Sequence, residues 1–340
     1  MSVVLGIDAG GTSMRFRRVF FNGSLAARDK KTDTPTTRNI PSKNPRDAIA
    51  AMINKIVTEL DSDTLIPEAI GISFAGPVTK DGTVVVAPNI WGSTERNVAL
   101  AKMVSEATEK DTWVGNDMTA AAYRERQWGQ GQNLESFLLI TVSSGVGSKI
   151  CIDGKVLLGW NGIAGEIGHM VIDPSSNIPC GCGGYGHLES LASGIAAERV
   201  AKNLAQQDRT LFNGSNVNEM TGGDISKITT RAIATAAGQE DAFALRILHE
   251  VCRPLAIGIN HTWATSATER VFIIGGFALG VGDTYLKVLR EEVNELGLMG
   301  IGTNEIEAFT RTLIVNGTDD DNSGVIGAAA GAFNHFQIAA

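Results

Sequence analysis

The run Val3–Ile7 is short and apolar throughout, the pattern of a buried strand, and it stops at Asp8-Ala9-Gly10-Gly11-Thr12-Ser13. A second strand runs from Met14 to Phe21 and ends on the Asn22-Gly23 turn. A third runs from Leu25 into the polar stretch Asp29–Thr37, so the chain opens as an antiparallel meander. Pro45 suits the first turn of a helix in which Ala48, Ile49, Met52, Ile53, Ile56, Val57 and Leu60 recur at helical spacing. Ala69–Phe74 reads as a buried strand, and Thr83–Ala87 follows the Asp81-Gly82 turn. A helix over Val98 to Thr108 precedes the strand Thr112–Val114, which ends in Gly115-Asn116-Asp117.

The second half opens alike. Phe137–Val142 is a strand, Ser143-Ser144-Gly145-Val146-Gly147 a small-residue turn and Ser148–Ile152 a returning strand. The Asp153-Gly154 turn then leads to a third strand, Lys155–Leu158. The repeated order points to a duplicated architecture. Gly159 to Gly194 is a glycine-dense loop region. Helices follow over Ile195–Ala205, Ser226–Ala236 and Glu240 to Trp263, with residues 206–223 expected as a polar surface loop. Val271–Ile274 is a strand ending in Gly275-Gly276-Phe277. A helix over Tyr285–Leu296, a strand over Arg311–Val315 and an Ala/Gly-rich helix over Gly324–Phe336 complete the chain. The expected domains are residues 1–117 with 324–340, and residues 118–323.

Composition narrows the class. The formal charge is −8 over 340 residues, which argues against a general nucleic-acid binder. No apolar run reaches the ~18 residues of a membrane span, and the first residues do not read as a signal peptide. Four cysteines are too few for a disulfide framework, so a reducing cytoplasm is expected. Glycine, at 39 residues, is in excess, and 12 of these fall between Gly145 and Gly194. Backbone there is expected to approach a ligand closely.

Five segments carry candidate chemistry. Asp8-Ala9-Gly10-Gly11-Thr12 delivers a carboxylate, two glycines and a hydroxyl at a strand end, which suits an anion or a plain hairpin turn. Ser143-Ser144-Gly145 occupies the matching place in the second half, so the two loops suggest a polyphosphate held from two sides. Neither is a Walker loop, and a strand rather than a helix follows the first strand, which argues against a dinucleotide-binding turn. Asp117 is either a helix cap or a base for a substrate hydroxyl. His169, Cys180, Cys182 and His187 supply four N/S ligands within 19 positions, which suits a closed, structural Zn²⁺ site or is two buried thiols with two incidental histidines. Gly275-Gly276 is a turn or a close approach to something flat.

Taken together, these motifs resemble the ROK family of bacterial glucokinases, fructokinases, N-acetylmannosamine kinases and sugar-responsive repressors. The resemblance runs from Gly6 to Phe333. It implies an α/β protein of the actin-like, ribonuclease-H-like ATPase fold, with two α/β domains around a cleft. It also implies Asp8, Gly10, Gly11, Thr12 and Ser13 as the first phosphate loop, with Asp8 near Mg²⁺. Ser143, Ser144 and Gly145 become the second loop, and Gly275 and Gly276 the adenosine side. Gly76, Asn89, Asn116, Glu166, His169 and Glu189 match sugar-binding positions, with Asp117 as both sugar ligand and catalytic base. The implied activity is ATP-dependent phosphorylation of a hydroxyl, of the primary 6-position type, on a hexose or sugar-like substrate. An amino sugar or C7 cyclitol is the alternative acceptor, and a non-enzymatic sugar sensor the alternative of another class. A homodimer is implied, with no nucleic-acid or membrane partner.

The chain departs from the family pattern at Ser13, where Lys is common, at Ser143-Ser144-Gly145, where Gly-Thr-Gly is usual, and at His187, where the usual residue is Cys. Arg15 and Arg17 share a strand face and either replace the missing charge or lie in solvent. Trp91 and Trp160 lie near the sugar-binding segments.

Overall fold

The computed structural model describes residues 2–339. The chain forms two compact units, Met1–Asn133 with Val156–Ala164 and Thr318–Ala340, and Leu134–Lys155 with Gly165–Gly317. The expected divisions at 117/118 and 323/324 therefore move to 133/134 and 317/318. The cause is the helix Asp117–Trp128, which packs against the helix Ser323–Phe336 and belongs with the first unit.

The first unit holds β1 (Val3–Ala9), β2 (Ser13–Phe20), β3 (Leu25–Asp33), β4 (Ala69–Phe74), β5 (Val84–Ala87), β6 (Gly92–Val98) and β7 (Asp111–Asn116). Its sheet has the order β3-β2-β1-β4-β7, with β1 to β3 antiparallel and β4 and β7 parallel to β1. Alternation along β1 sends Leu5, Ile7 and Ala9 into a core shared with the helices Pro45–Leu60 and Leu100–Thr108. Val4, on the opposite face, packs with Ala329, Ala332 and Phe333 of the helix Ser323–Phe336. That helix lies unusually close to the sheet. A Cβ on Gly6 would come within 2.2 Å of the Val325 carbonyl oxygen, and one on Gly71 within 2.0 Å of the Ala328 oxygen.

The second unit holds β8 (Phe137–Val142), β9 (Val146–Ile152), β10 (Lys155–Val156, reaching one residue past the unit), β11 (Arg270–Ile274) and β12 (Ile314–Asn316). Its order, β10-β9-β8-β11-β12, reproduces the first sheet position for position, and the pairings β8–β9 antiparallel and β8–β11–β12 parallel agree. The duplication expected from the strand–turn–strand repeat is present as topology. The core is built mainly from the helices Gly194–Gln207, Thr230–Gly238, Ala242–Ser266 and Asp283–Leu296. No helix among the described residues is long and apolar enough to cross a membrane.

Several expectations need correction. Residues 206–223 are not a loop. They form the short helices Arg209–Asn213 and Asn216–Thr221, anchored by buried Phe212 and Val217 and capped by Asp208 and Ser215. The strand expected over Arg311–Val315 is the end of the helix Ile306–Leu313 followed by β12. The polar strand β6 was not anticipated. Among the described residues it pairs only with β5, and it leaves most of its side chains at least partly exposed, so it has no apolar alternation to read.

Candidate active site

In the first unit, Asp8 and Asp117 stand at the carboxyl ends of β1 and β7, with β4 between them. Asp8 faces Arg15 across the β1–β2 ladder. Burial pushes the Asp8 carboxyl above its ordinary value, opposed by the positive charges of Arg15 and Lys31. The start of the helix Ser323–Phe336 rests on this carboxylate, since a Cβ on Gly324 would come within 2.3 Å of Asp8 Cγ. In the loop from Gly10 to Ser13, the Gly10 amide donates to the Ser13 carbonyl at 3.1 Å. Thr34 braces the loop with Oγ1 donating to the Gly10 oxygen at 2.6 Å and its amide donating to the Thr12 oxygen at 3.0 Å. Among the described residues the Gly11 and Thr12 amides and the Thr12 hydroxyl have no protein partner. They remain as donors, the requirement for holding an anion. The Arg15 and Arg17 guanidiniums both reach Asp29, at 2.5 and 3.3 Å, and neither lies free in solvent.

Asp117 is the first residue of its helix rather than the cap. Asn116 is the cap, with Oδ1 accepting from the Met118 amide at 2.9 Å and Nδ2 donating to the Gly76 carbonyl at 3.1 Å. One asparagine thus ties the β4 exit, including Gly76, to the segment carrying Asp117. The Asp117 carboxylate is exposed and also accepts from the Met118 amide, at 2.8 Å. Asn89 is exposed on the turn after β5 and lies beside the first loop, since a Cβ on Gly11 would sit 3.5 Å from its Cβ. Arg38 reaches the Asn89 oxygen at 3.5 Å, a neighbour that no motif marked. Trp91 is fully buried against Phe74, with ring centroids 5.1 Å apart, so it is core; Trp160 is 90% exposed.

In the second unit, the Ser143 amide donates to the Gly145 carbonyl at 2.9 Å and the Ser143 carbonyl accepts from Gly194 at 2.7 Å. The Ser144 and Gly145 amides and both serine hydroxyls have no protein partner among the described residues. Gly275, at φ +99°, ends β11 against the Val142 backbone, where a Cβ would come within 2.7 Å of the Val142 nitrogen. A Cβ on Gly276 would sit 3.9 Å from the Ser143 hydroxyl, so the second loop and the Gly275-Gly276 turn are neighbours.

Glu189 supports that loop. Its Oε2 accepts from the Val146 amide at 3.3 Å and its Oε1 from the Cys180 thiol at 3.4 Å. Glu166 precedes the 3-10 turn Ile167–His169 and accepts from Lys149 at 2.7 Å. His169, Cys180, Cys182 and His187 bring their donor atoms within 4.8 Å of one another. The Cys182 Sγ–His187 Nδ1 distance is 3.2 Å and the Cys180 Sγ–His169 Nδ1 distance 3.6 Å. A tetrahedral ion with bonds of about 2.0–2.3 Å sets its donors about 3.3–3.8 Å apart; these two pairs lie near that spacing, and the wider 4.8 Å spread of the set would draw in around an ion. Burial first, then neighbours including Glu189, push the Cys180 thiol up to about 11.

Three glycines of the dense segment serve close approaches between backbone segments. Cβ atoms on Gly168, Gly186 and Gly194 would come within 2.1, 1.9 and 2.7 Å of the carbonyl oxygens of Val146, Asp173 and Ser143.

A family model described as "ROK family" matches residues 4–334. The chain is 32% identical over 326 residues to the C(7)-cyclitol 7-kinase of Streptomyces hygroscopicus subsp. jinggangensis, covering 94% of this chain and 91% of that protein. It is 30% identical over 311 residues to the glucokinase of Halalkalibacterium halodurans, covering 86% of each. Among solved structures, the ROK family glucokinase from Streptomyces griseus in complex with glucose and AMPPNP aligns with a TM-score of 0.74 at 26% identity, over 96% of this chain and 98% of that one.

Proposed function

The chain belongs to the ROK family, and from that premise we propose that this ATP-dependent sugar kinase phosphorylates the primary hydroxyl outside the ring of a seven-carbon cyclitol, with Asp117 as the base. Its architecture is the two-domain, actin-like ATPase fold. The observation that carries the phosphotransfer reading is the repeated pair of hairpin loops, each with unpaired amides and hydroxyls, set at equivalent places in two sheets of one topology.

The first loop, Asp8 to Ser13, and the second, Ser143 to Gly145, donate hydrogen bonds to the phosphoryl oxygens of ATP, where charge develops in the transition state. Gly275 and Gly276 admit the adenosine. Asn89, Asn116, Glu166, His169 and Glu189 orient ring hydroxyls, with Gly76 fixed by Asn116. The Asp117 carboxylate accepts the proton of the reacting hydroxyl as its oxygen attacks the γ-phosphorus, and ADP leaves. Bound Mg²⁺ would neutralise phosphoryl charge, and the buried Asp8 carboxyl, whose charged form a cation would favour against burial, is its proposed holder. Zn²⁺ held by His169, Cys180, Cys182 and His187 would brace the segment carrying Glu166 and Glu189, with no position left for water. The proposed assembly is a homodimer, and the proposed compartment a reducing cytoplasm that keeps the four cysteines as thiols.

Identity to the C(7)-cyclitol 7-kinase supports the cyclitol. Identity to the glucokinase supports a hexose phosphorylated at its 6-position as the second reading. The two acceptors share a six-membered polyol ring with one hydroxymethyl carbon outside it. An ADP-release assay across glucose, mannose, fructose, N-acetylhexosamines, amino sugars and C7 cyclitols decides between them, with NMR locating the phosphate. The cyclitol is expected to give the highest kcat/KM, and a higher value for glucose would replace it.

A further inference from the structure

Lys149 interrupts β9, whose other residues are small or apolar, and its side chain is 0% exposed. A buried ammonium persists only when paired and hydrogen-bonded. Its Nζ donates to Glu166 Oε1 at 2.7 Å, while the Glu166 side chain keeps 32% of its surface open. The preceding residue holds the same turn by its backbone. Ser148 Oγ donates to the Gly165 carbonyl at 2.7 Å and accepts from the Ile167 amide at 2.9 Å, one contact on each side of Glu166. Gly165, at φ +83°, lets the turn lie on the strand, since a Cβ there would come 3.2 Å from the Ile150 nitrogen. Three consecutive residues of β9 therefore template Glu166. Among the described residues its Oε2 accepts no protein hydrogen bond.

We propose that Lys149 is a positioning residue that holds one oxygen of Glu166, so that the other oxygen is presented to the acceptor's ring hydroxyls at one fixed orientation, and thereby sets which hydroxyl configuration the kinase takes. A free carboxylate can receive two adjacent hydroxyls, one on each oxygen. With one acceptor site of Oε1 taken by the ammonium and the backbone clamped by Ser148, Oε2 is the oxygen that meets no protein donor, and it is held at one orientation. This inference rests on the reading of Glu166 as an acceptor-binding residue.

The test compares Lys149→Met, Glu166→Gln and the double variant in the full-length protein, with unfolding temperature recorded for each. The probes are glucose, mannose and the 2-, 3- and 4-deoxyglucoses or, if the substrate panel selects a cyclitol, that cyclitol and its mono-deoxy forms. A hydrogen bond to a charged group lost from acceptor binding raises KM by about tenfold or more. Lys149→Met is expected to raise the acceptor KM by about that factor, leave kcat within about threefold and leave the KM for MgATP unchanged. It should also shrink the wild-type penalty for one particular deoxy form. A merely structural role would not move that discrimination. On the Glu166→Gln background, adding Lys149→Met should change the acceptor KM by less than about threefold.

If Glu166→Gln raises the acceptor KM while a folded Lys149→Met has wild-type KM and discrimination, the proposal is overturned and the reading beneath it stands. If Glu166→Gln leaves the KM unchanged, that reading itself fails. Should Lys149→Met not fold, Glu166→Gln and the double variant carry the test, because the double variant leaves no unpaired buried charge. Equal acceptor KM values support the proposal, and a further rise beyond about threefold in the double variant overturns it.

Discussion

Replacing Gly324 by alanine should separate folding from catalysis, because the added methyl meets the end of one side chain. The Cβ would stand 2.3 Å from Asp8 Cγ and 2.6 and 2.7 Å from its two carboxylate oxygens. Carbon atoms in contact prefer about 3.5–4.0 Å, so the carboxylate must retreat by a little over about 1 Å. Asp8 can do this by rotation, and overpacking of this kind costs about 1–3 kcal/mol. The unit should therefore stay folded. A misplacement of about 1 Å in a group that orients reactants costs about 10²-fold in rate. The expected result is a fall of about that size in kcat/KM for MgATP, or about 2.7 kcal/mol of transition-state stabilisation. The assay is coupled ADP release at saturating acceptor with MgATP varied, alongside a thermal melt. Gly214→Ala is the control, since its nearest neighbour atom would be 3.7 Å away and its φ is not positive. A folded Gly324→Ala enzyme with kcat/KM for MgATP within about threefold of wild type would refute the assignment of Asp8 to the nucleotide site.

Gly71→Ala should behave differently, because its Cβ would meet backbone, 2.0 Å from the Ala328 oxygen. A loss of about 3 kcal/mol or more is expected from urea unfolding, and a loss below about 1 kcal/mol would contradict the close helix–sheet approach. Asn116→Ala removes a helix cap together with the tie to Gly76. It should lower stability by about 1–2 kcal/mol in the same measurement. Zinc uptake should release protons and tighten as pH rises. The Cys180 thiol, pushed up to about 11 by burial, stays protonated at neutral pH without metal, and its proton must leave for the thiolate to bind. A competition titration showing zinc affinity flat from about pH 6 to 8 would refute this. Stripping the metal with a chelator should lower the unfolding temperature and raise the acceptor KM, as circular dichroism melts and the ADP assay will read.

The strands that matter for the site were legible because they carry a plain apolar signal. Ala69–Phe74 and Phe137–Val142 match to the residue and Val3–Ile7 only extends to Ala9, and the repeat of small-residue turns after the first and third of these in chain order foretold the duplicated sheets. Helices of five or six residues with one buried apolar anchor each, such as those at Phe212 and Val217, fall below any helical period and passed as loop. Glycine was the least readable signal. Gly6 and Gly71 serve the approach of a helix from the far end of the chain, a contact that no local pattern encodes. The zinc-type cluster was readable from spacing because its four ligands lie close in sequence. Lys149 left a trace as a lone cation in an apolar strand, but its partner Glu166 lies across a loop. Asn116 was expected only as a sugar ligand, and its place as the cap before Asp117 left no mark in the sequence.

The central claim is that Asp117 takes the proton of the reacting hydroxyl, and Asp117→Asn tests it most directly. The variant keeps the side-chain shape and an oxygen for the Met118 amide, which the wild-type carboxylate engages at 2.8 Å. ADP release should fall by about 10²–10⁴-fold, while calorimetry shows the acceptor still binding within a few-fold of wild type. Turnover close to wild type in that variant would contradict the account.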